Sequence, residues 1–145
     1  KGIFKSSLLR VPLVLFRTGN GQVAALVDCC PHRNAPLSSG WLAQGQIVCP
    51  YHGWRFDSGG QCQLVPGLIG KAAHPARQVL SRTAVEQDGF IWVYAGADEV
   101  LTTQPPHFAF LNQKGYASFI GQATLQAALP DALENFLDGT HTHFQ

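Results

Sequence analysis

The sequence CPHR at residues 30–33 is followed by CPYHGW at residues 49–54, with sixteen residues between the histidine of the first stretch and the cysteine of the second. Each stretch pairs one cysteine with one histidine at the spacing of metal ligands, C-x-H in the first and C-x-x-H in the second. Two thiolates and two imidazoles suit either a tetrahedral zinc ion or an iron-sulfur cluster. The proline after each cysteine extends the cysteine backbone and stiffens the loop, which favours iron. The candidate ligands are Cys30, His32, Cys49 and His52.

These stretches resemble the signature of Rieske [2Fe-2S] proteins, in particular that of Rieske non-haem iron oxygenase α subunits and their ferredoxins. The resemblance implies that Cys30 and Cys49 bind one iron, that His32 and His52 bind the other, and that sulfides bridge them. The disulfide of respiratory Rieske proteins is missing, since the second-loop position is Tyr51. Because neutral imidazoles replace two anionic thiolates, such a cluster accepts an electron more readily than an all-cysteine cluster. A structural zinc module is the alternative.

The composition describes a globular protein of 145 residues with 46% hydrophobic residues and a formal net charge of +1. Charged residues make up only 13%, against roughly 25% in soluble domains, which predicts surface covered by further chain or by another subunit. The sequence shows neither a basic cluster nor an apolar run of about 18 residues. We therefore expect no nucleic-acid partner, no membrane and a cytoplasmic location. Cys29 and Cys62 are typical of buried thiols in a reducing compartment.

Short apolar runs separated by turn residues predict an all-β Rieske-type module of antiparallel sheets and hairpins, with both ligand loops at hairpin tips. A change of composition near residues 97–106 indicates a linker, and we place the boundary near Leu101. Residues 1–101 then form the Rieske domain, and residues 102–145 form the incomplete beginning of an α+β catalytic domain. The predicted strands are 12–17, 22–27, 46–48, 54–56, 61–65, 79–85 and 90–94.

Beyond the boundary, residues 116–128 favour a long strand, and a helix is predicted to follow. Asp131 is predicted to cap this helix, with Glu134 answering from three residues on. Three polar residues recur every three positions and would share one helix face. They are Asn135, Asp138 and His141.

The segment 134–141 resembles the start of the mononuclear iron site of Rieske oxygenase α subunits. The resemblance implies that His141 binds Fe(II) in the full-length protein, and that Asp138 bridges this iron to a cluster histidine of a neighbouring subunit in a homotrimer. A second histidine would fall just past Gln145, and a later acidic ligand is also absent. The iron site is therefore incomplete, and the 145 residues alone are predicted to be inactive. His107 is predicted to be an ordinary surface residue.

Together these features predict the amino-terminal part of a Rieske oxygenase, a mono- or dioxygenase of aromatic compound degradation. Its electrons would come from a reductase or ferredoxin, and it would use O₂ to hydroxylate a small aromatic molecule. The alternative is a free-standing Rieske ferredoxin, an electron carrier without a substrate. A carrier would need residues only up to about Ala97, so residues 102–145 argue against it.

Overall fold

The computed structural model describes residues 2–94, 96, 103–119, 121–122 and 124–139. The chain divides into two compact units, Lys1–Ala109 and Phe110–Gln145. The boundary predicted at Leu101 lies outside the described residues. The first unit confirms the predicted all-β class. Its strands are β1 (Ile3–Leu8), β2 (Val11–Arg17), β3 (Val23–Val27), β4 (Trp41–Ala43), β5 (Gln46–Val48), β6 (Arg55–Phe56), β7 (Cys62–Leu64), β8 (Ser81–Arg82), β9 (Ala84–Gln87) and β10 (Phe90–Val93).

These strands form three antiparallel sheets. The first has the order β1-β2-β3-β8, the second runs from β4 to β7 in chain order, and the third pairs β9 with β10. The predicted hairpin across residues 12–27 is confirmed as β2 and β3, in which Leu15 lies opposite Ala25. The Thr18 N–H closes its turn by donating to the Gln22 carbonyl at 2.9 Å.

The sequence does not predict β1, because the turn that joins it to β2 lacks glycine and asparagine. Leu9 and Arg10 form this turn with φ values of 49° and 66°. Consecutive positive φ angles belong to the turn that best matches the twist of paired strands. Residues with a Cβ adopt them at a cost of about 1–2 kcal/mol each. The ladder of paired residues from Ile3 to Leu8 offsets this cost.

One hydrophobic core joins the first two sheets. Val14 of the first sheet and Ile47 and Phe56 of the second are fully buried and belong to one cluster. Complete burial of each such side chain stabilises the fold by about 1.5–3 kcal/mol. Cys30 and Cys49 belong to the same cluster. The candidate ligand loops therefore start inside the core.

The two ligand loops leave the core in different ways. Residues 49–54 join β5 to β6 at a hairpin tip, as predicted. Residues 28–40 connect β3 with β4, which belong to different sheets, so the hairpin-tip prediction is wrong for the first loop. This connection lacks a strand ladder across its base and is braced by a side chain instead. The buried Asp28 carboxylate accepts the Ser38 N–H at 2.7 Å and the Ser38 hydroxyl at 2.5 Å.

The third sheet holds the segment that leads out of the first unit. Asp88, in the β9–β10 turn, accepts the Phe108 N–H at 2.7 Å and pairs with His107 Nδ1 at 2.9 Å. The Gln87 side chain donates to both proline carbonyls of that segment at 3.2 and 3.0 Å. We call Gln87, Asp88 and residues 105–108 the connector clamp. His107 is exposed, as predicted, but it is also a partner of Asp88.

Beyond the connector, the chain forms a 3₁₀ turn, Ala109–Asn112, and the helix α1, Leu129–Leu137. The strand predicted at residues 116–128 is wrong, since none of its described residues forms a strand. A β-compatible sequence becomes a strand only where a neighbouring strand supplies the ladder of hydrogen bonds. No helix in the described ranges is long and apolar enough to cross a membrane.

The start of α1 differs from the prediction. Ala128 is its N-cap and no side chain caps it, so the prediction that Asp131 caps the helix is wrong. The helix begins at Leu129, two residues before Asp131, and Pro130 lies in its first turn. Proline suits the first turn because its φ is already helical and its missing N–H is not needed there. Asp131 lies in that first turn, where its negative charge interacts favourably with the helix dipole and stabilises the helix.

The end of α1 falls at the predicted bridging residue. Asp138 is the C-cap, and its N–H donates to the Glu134 carbonyl at 2.9 Å. Its backbone is extended, with φ −82° and ψ 97°. The predicted helical face is therefore wrong for Asp138, which follows the helix instead of lying on it. His141 lies outside the described residues.

Candidate metal centre

The two ligand loops are closed by the same pair of backbone hydrogen bonds. In each loop the cysteine N–H donates to the carbonyl five residues on, and the cysteine carbonyl accepts the N–H four residues on. The residue four positions after the cysteine has a positive φ in both loops, 56° at Asn34 and 71° at Gly53. Both cysteines therefore have the same backbone setting. The bonds run from Cys30 to Ala35 and Asn34 at 2.9 and 2.8 Å, and from Cys49 to Trp54 and Gly53 at 2.8 and 3.0 Å.

The two cysteines form the inner part of the site. Cys30 and Cys49 are 1% and 2% exposed, and both are free thiols. Burial raises the pKa of the Cys30 thiol to about 11, and the hydrogen bond with Cys49 adds to this rise. Thiolates are the metal-binding form of cysteine, and two of them side by side in an apolar core repel each other. A positively charged metal centre removes this conflict.

The two histidines form the outer part of the site. The exposed rings of His32 and His52 lie with their centroids 4.6 Å apart, tilted by 53°. Desolvation is the main cause that lowers the pKa of His32, and the charges of His52 and Arg33 lower it further. A depressed pKa keeps the imidazole neutral, which is the form that binds metals.

The donors are thus sorted by type into a buried sulfur pair and an exposed nitrogen pair. A [2Fe-2S] centre of the Rieske type takes two cysteines on one iron and two histidines on the other. The pairing in this chain fits that centre. A single tetrahedral zinc ion would instead draw all the donors around one point.

Aromatic rings flank the histidine pair. Trp54 stacks on His32 with the centroids 4.8 Å apart and the rings within 3° of parallel. Tyr51 lies against His52 at 4.0 Å with a tilt of 37°. Trp54 therefore packs directly against a candidate ligand. The contact of Tyr51 and the brace from Asp28 were not predicted, although a lone carboxylate directly before Cys29-Cys30 in a charge-poor sequence is a usable signal for the brace.

The Rieske [2Fe-2S] domain family matches residues 2–75, a range that contains both ligand loops. The chain belongs to this Rieske family. The loops that meet at the core are therefore those of a family that binds a [2Fe-2S] cluster, and the predicted resemblance is confirmed. The assignment of each ligand to a particular residue stays a prediction.

Relatives of this Rieske chain include oxygenase components. The chain is 39% identical over 141 residues to the oxygenase component of dicamba O-demethylase from Stenotrophomonas maltophilia. The aligned region covers 95% of this chain and 41% of the relative. A crystal structure of dicamba monooxygenase with non-heme iron and dicamba matches at 45% identity and a TM-score of 0.61, over 66% of this chain and 29% of that one. NdmB of Pseudomonas putida CBB5 matches at 30% identity and a TM-score of 0.86, over 99% and 43%. The chain spans less than half the length of each.

Proposed function

We propose that this chain is the electron-accepting part of a Rieske non-haem iron oxygenase. The observation that carries the proposal is the sorted donor set, with buried Cys30 and Cys49 beside exposed His32 and His52. Cys30 and Cys49 would hold one iron and the two histidines the other. When bound, the cluster supplies one-electron chemistry at a moderate potential.

The buried cysteines and the exposed histidines would have different roles at the cluster. The cysteines lie in the core, where the apolar surroundings exclude water from the thiolates. The histidines stand at the surface, so that an electron donor and an electron acceptor can approach their rings. Neutral imidazoles also limit the negative charge of the site, which makes an added electron less costly.

The oxygenase proposal is preferred to a free-standing ferredoxin because the similarity extends beyond the Rieske module. The match to dicamba O-demethylase covers 95% of this chain, well beyond the residues 2–75 that match the Rieske domain. We place His141 at a mononuclear Fe(II) site of the full-length protein. The substrate would be a small aromatic molecule, as the names dicamba O-demethylase and vanillate O-demethylase indicate for two relatives. O₂ would be the co-substrate, and a reductase or ferredoxin the electron donor.

Assembly and location complete the proposal. We place the protein in the cytoplasm as a homotrimer, in which the cluster histidines of one subunit face the iron site of the next. Asp138 would bridge the two sites, with its carboxylate accepting a hydrogen bond from a cluster imidazole and another from His141.

Metal analysis of the purified protein tests the cluster assignment. We expect two irons and two acid-labile sulfides per chain, because paired cysteines and paired histidines each complete one iron. Alanine replacement of Cys49 should abolish cluster binding, whereas the same change at Cys62, which is buried outside both loops, should preserve it. One zinc per chain without acid-labile sulfide would instead identify a structural zinc module.

A further inference from the structure

Trp54 connects the two ligand loops through a side-chain contact. It belongs to the second loop, but its indole stacks on His32 of the first loop, 4.8 Å away and within 3° of parallel. Its own backbone is fixed, since its carbonyl accepts the Cys49 N–H at 2.8 Å. The indole also packs on the core, 6.5 Å from the fully buried Phe56 ring. The half-buried Trp54 indole, held in place by the core, therefore lies against one face of the His32 imidazole.

The other imidazole has a different environment. Its aromatic neighbour Tyr51 precedes His52 in the same loop, is 63% exposed and meets the ring at a tilt of 37°. Tyr51 therefore does not link the two loops, and its ring is not anchored in the core. The two histidines therefore differ in how firmly their rings are held.

We propose that Trp54 is a positioning residue that fixes the orientation of His32 towards the bound cluster and excludes water from the face of the ring on which it stacks. The inference rests on the proposed function, because it concerns the same [2Fe-2S] site. It makes the two exposed histidine ligands inequivalent, because the His32 ring is held by a stacked indole of the other loop and the His52 ring is not.

The water exclusion has a predictable electrical effect. A cluster with two thiolates and two neutral imidazoles is formally neutral when oxidised and gains one negative charge on reduction. An apolar neighbour disfavours the more charged form, so the Trp54 ring lowers the reduction potential. Loss of the ring admits water and raises the potential. Loss of orientation also changes the magnetic anisotropy that the reduced cluster shows in its EPR spectrum.

The experiment compares Trp54→Leu and Trp54→Phe with wild type in the cluster-loaded, full-length protein. For Trp54→Leu we expect a raised potential, a changed EPR spectrum and cluster loss to a chelator that is about 10-fold faster. Trp54→Phe keeps a smaller ring, so its values should lie between those of wild type and Trp54→Leu. Tyr51→Leu, which removes the ring beside the other histidine, is the matched control and should shift the potential less than Trp54→Leu.

Two results would overturn the role of Trp54. One is a folded Trp54→Leu protein with the potential, spectrum and cluster retention of wild type. If Trp54→Leu does not fold, the decision passes to Trp54→Phe, and wild-type values there would reject the role. Wild-type protein without iron and acid-labile sulfide would reject the cluster assignment itself, so the two failures are distinguishable.

Discussion

Gly53 shows how one backbone position shapes a ligand loop. It follows the candidate ligand His52, has a φ of 71°, and donates its N–H to the Cys49 carbonyl at 3.0 Å. Asn34 takes the equivalent place in the first loop with a φ of 56°. Glycine adopts this conformation freely, and asparagine tolerates it better than most residues. Both loops thus use a residue type suited to the bend.

Replacement of Gly53 by alanine should destabilise the protein by about 1–2 kcal/mol, because a Cβ in the left-handed region clashes with the backbone. The added atom would also lie 3.3 Å from Pro66 Cγ, a tight contact. Denaturant unfolding of the cluster-loaded protein measures the change. The control is Gly59→Ala in the β6–β7 turn, where the nearest atom is Asp57 Oδ1 at 3.5 Å. We expect the control to stay within about 0.5 kcal/mol of wild type, and equal effects at both glycines would contradict the strain argument.

The connector clamp is the clearest feature at the scale of elements. In the β9–β10 hairpin, the Asp88 carboxylate accepts the Phe108 N–H and pairs with His107. The Phe108 ring centroid lies 6.2 Å from that of Phe90 and 6.3 Å from that of Trp92. The Phe108 hydrogen bond is the main cause that lowers the pKa of Asp88. The clamp therefore depends on a charged carboxylate.

Acid should open the clamp. Because the pKa of Asp88 is lower in the folded protein than its ordinary value of 3.8, its contribution to stability is complete above that value and is lost as the pH falls through the folded pKa. We expect the Phe108 amide to exchange its hydrogen faster in that acid range than its neighbours do. Asp88→Asn, which suits the positive φ of the turn, should give fast exchange already at neutral pH.

A carboxylate in another turn provides the control for the clamp. Asp57 accepts the N–H groups of Gly59 and Gln61 in the β6–β7 turn. Asp57→Asn should leave exchange at the Phe108 amide unchanged. If Asp88→Asn protected this amide as well as wild type does, the carboxylate would not be what holds the connector.

The elements also show what the sequence could predict. Turns with glycine, such as residues 18–21 and 57–60, were predicted because their chemistry is local. The Leu9-Arg10 turn was missed because strand pairing, not local preference, imposes its conformation. The prediction of a strand at residues 116–128 was wrong because local preference favoured a strand but no neighbouring strand pairs with the described residues there. The connector clamp could not be predicted from the sequence, because Gln87 and Asp88 lie about 20 residues from their partners and form no motif with them.

At the scale of the whole molecule, charge is unevenly distributed along the chain. Residues 1–97 contain nine Lys and Arg but four Asp and Glu, whereas residues 98–145 contain one Lys and five acids. Three of the four acids of the first part have partners within it, Asp28 with Ser38, Asp57 with Gly59 and Glu86 with Arg17. The fourth, Asp88, pairs with His107 of the following segment. In the proposed assembly, the net positive charge of the first part would attract the net negative charge of the second part of a neighbouring copy. This supports the proposed head-to-tail ring, which closes by repeating one interface.

In the proposed ring, Asp138 would connect the cluster of one subunit with the iron site of the next. Asp138→Asn in the full-length protein should leave iron content and colour unchanged, because the residue lies far along the chain from both ligand loops. An amide keeps the shape of the carboxylate but loses the charge that strengthens hydrogen bonds to imidazoles. We therefore expect electron delivery to the catalytic iron to slow by about 10- to 100-fold. Stopped-flow reoxidation of the pre-reduced protein, with substrate and O₂ present, measures this rate.

Glu134→Gln is the matched control for this bridge, since it removes one negative charge from the helix that Asp138 caps and leaves the proposed path unchanged. It should reoxidise at the wild-type rate, so that a loss confined to Asp138→Asn reflects position and not net charge. Wild-type turnover by Asp138→Asn would remove the bridge. Full activity in a monomeric protein would remove the ring, because Asp138 would then have no neighbouring histidine to reach.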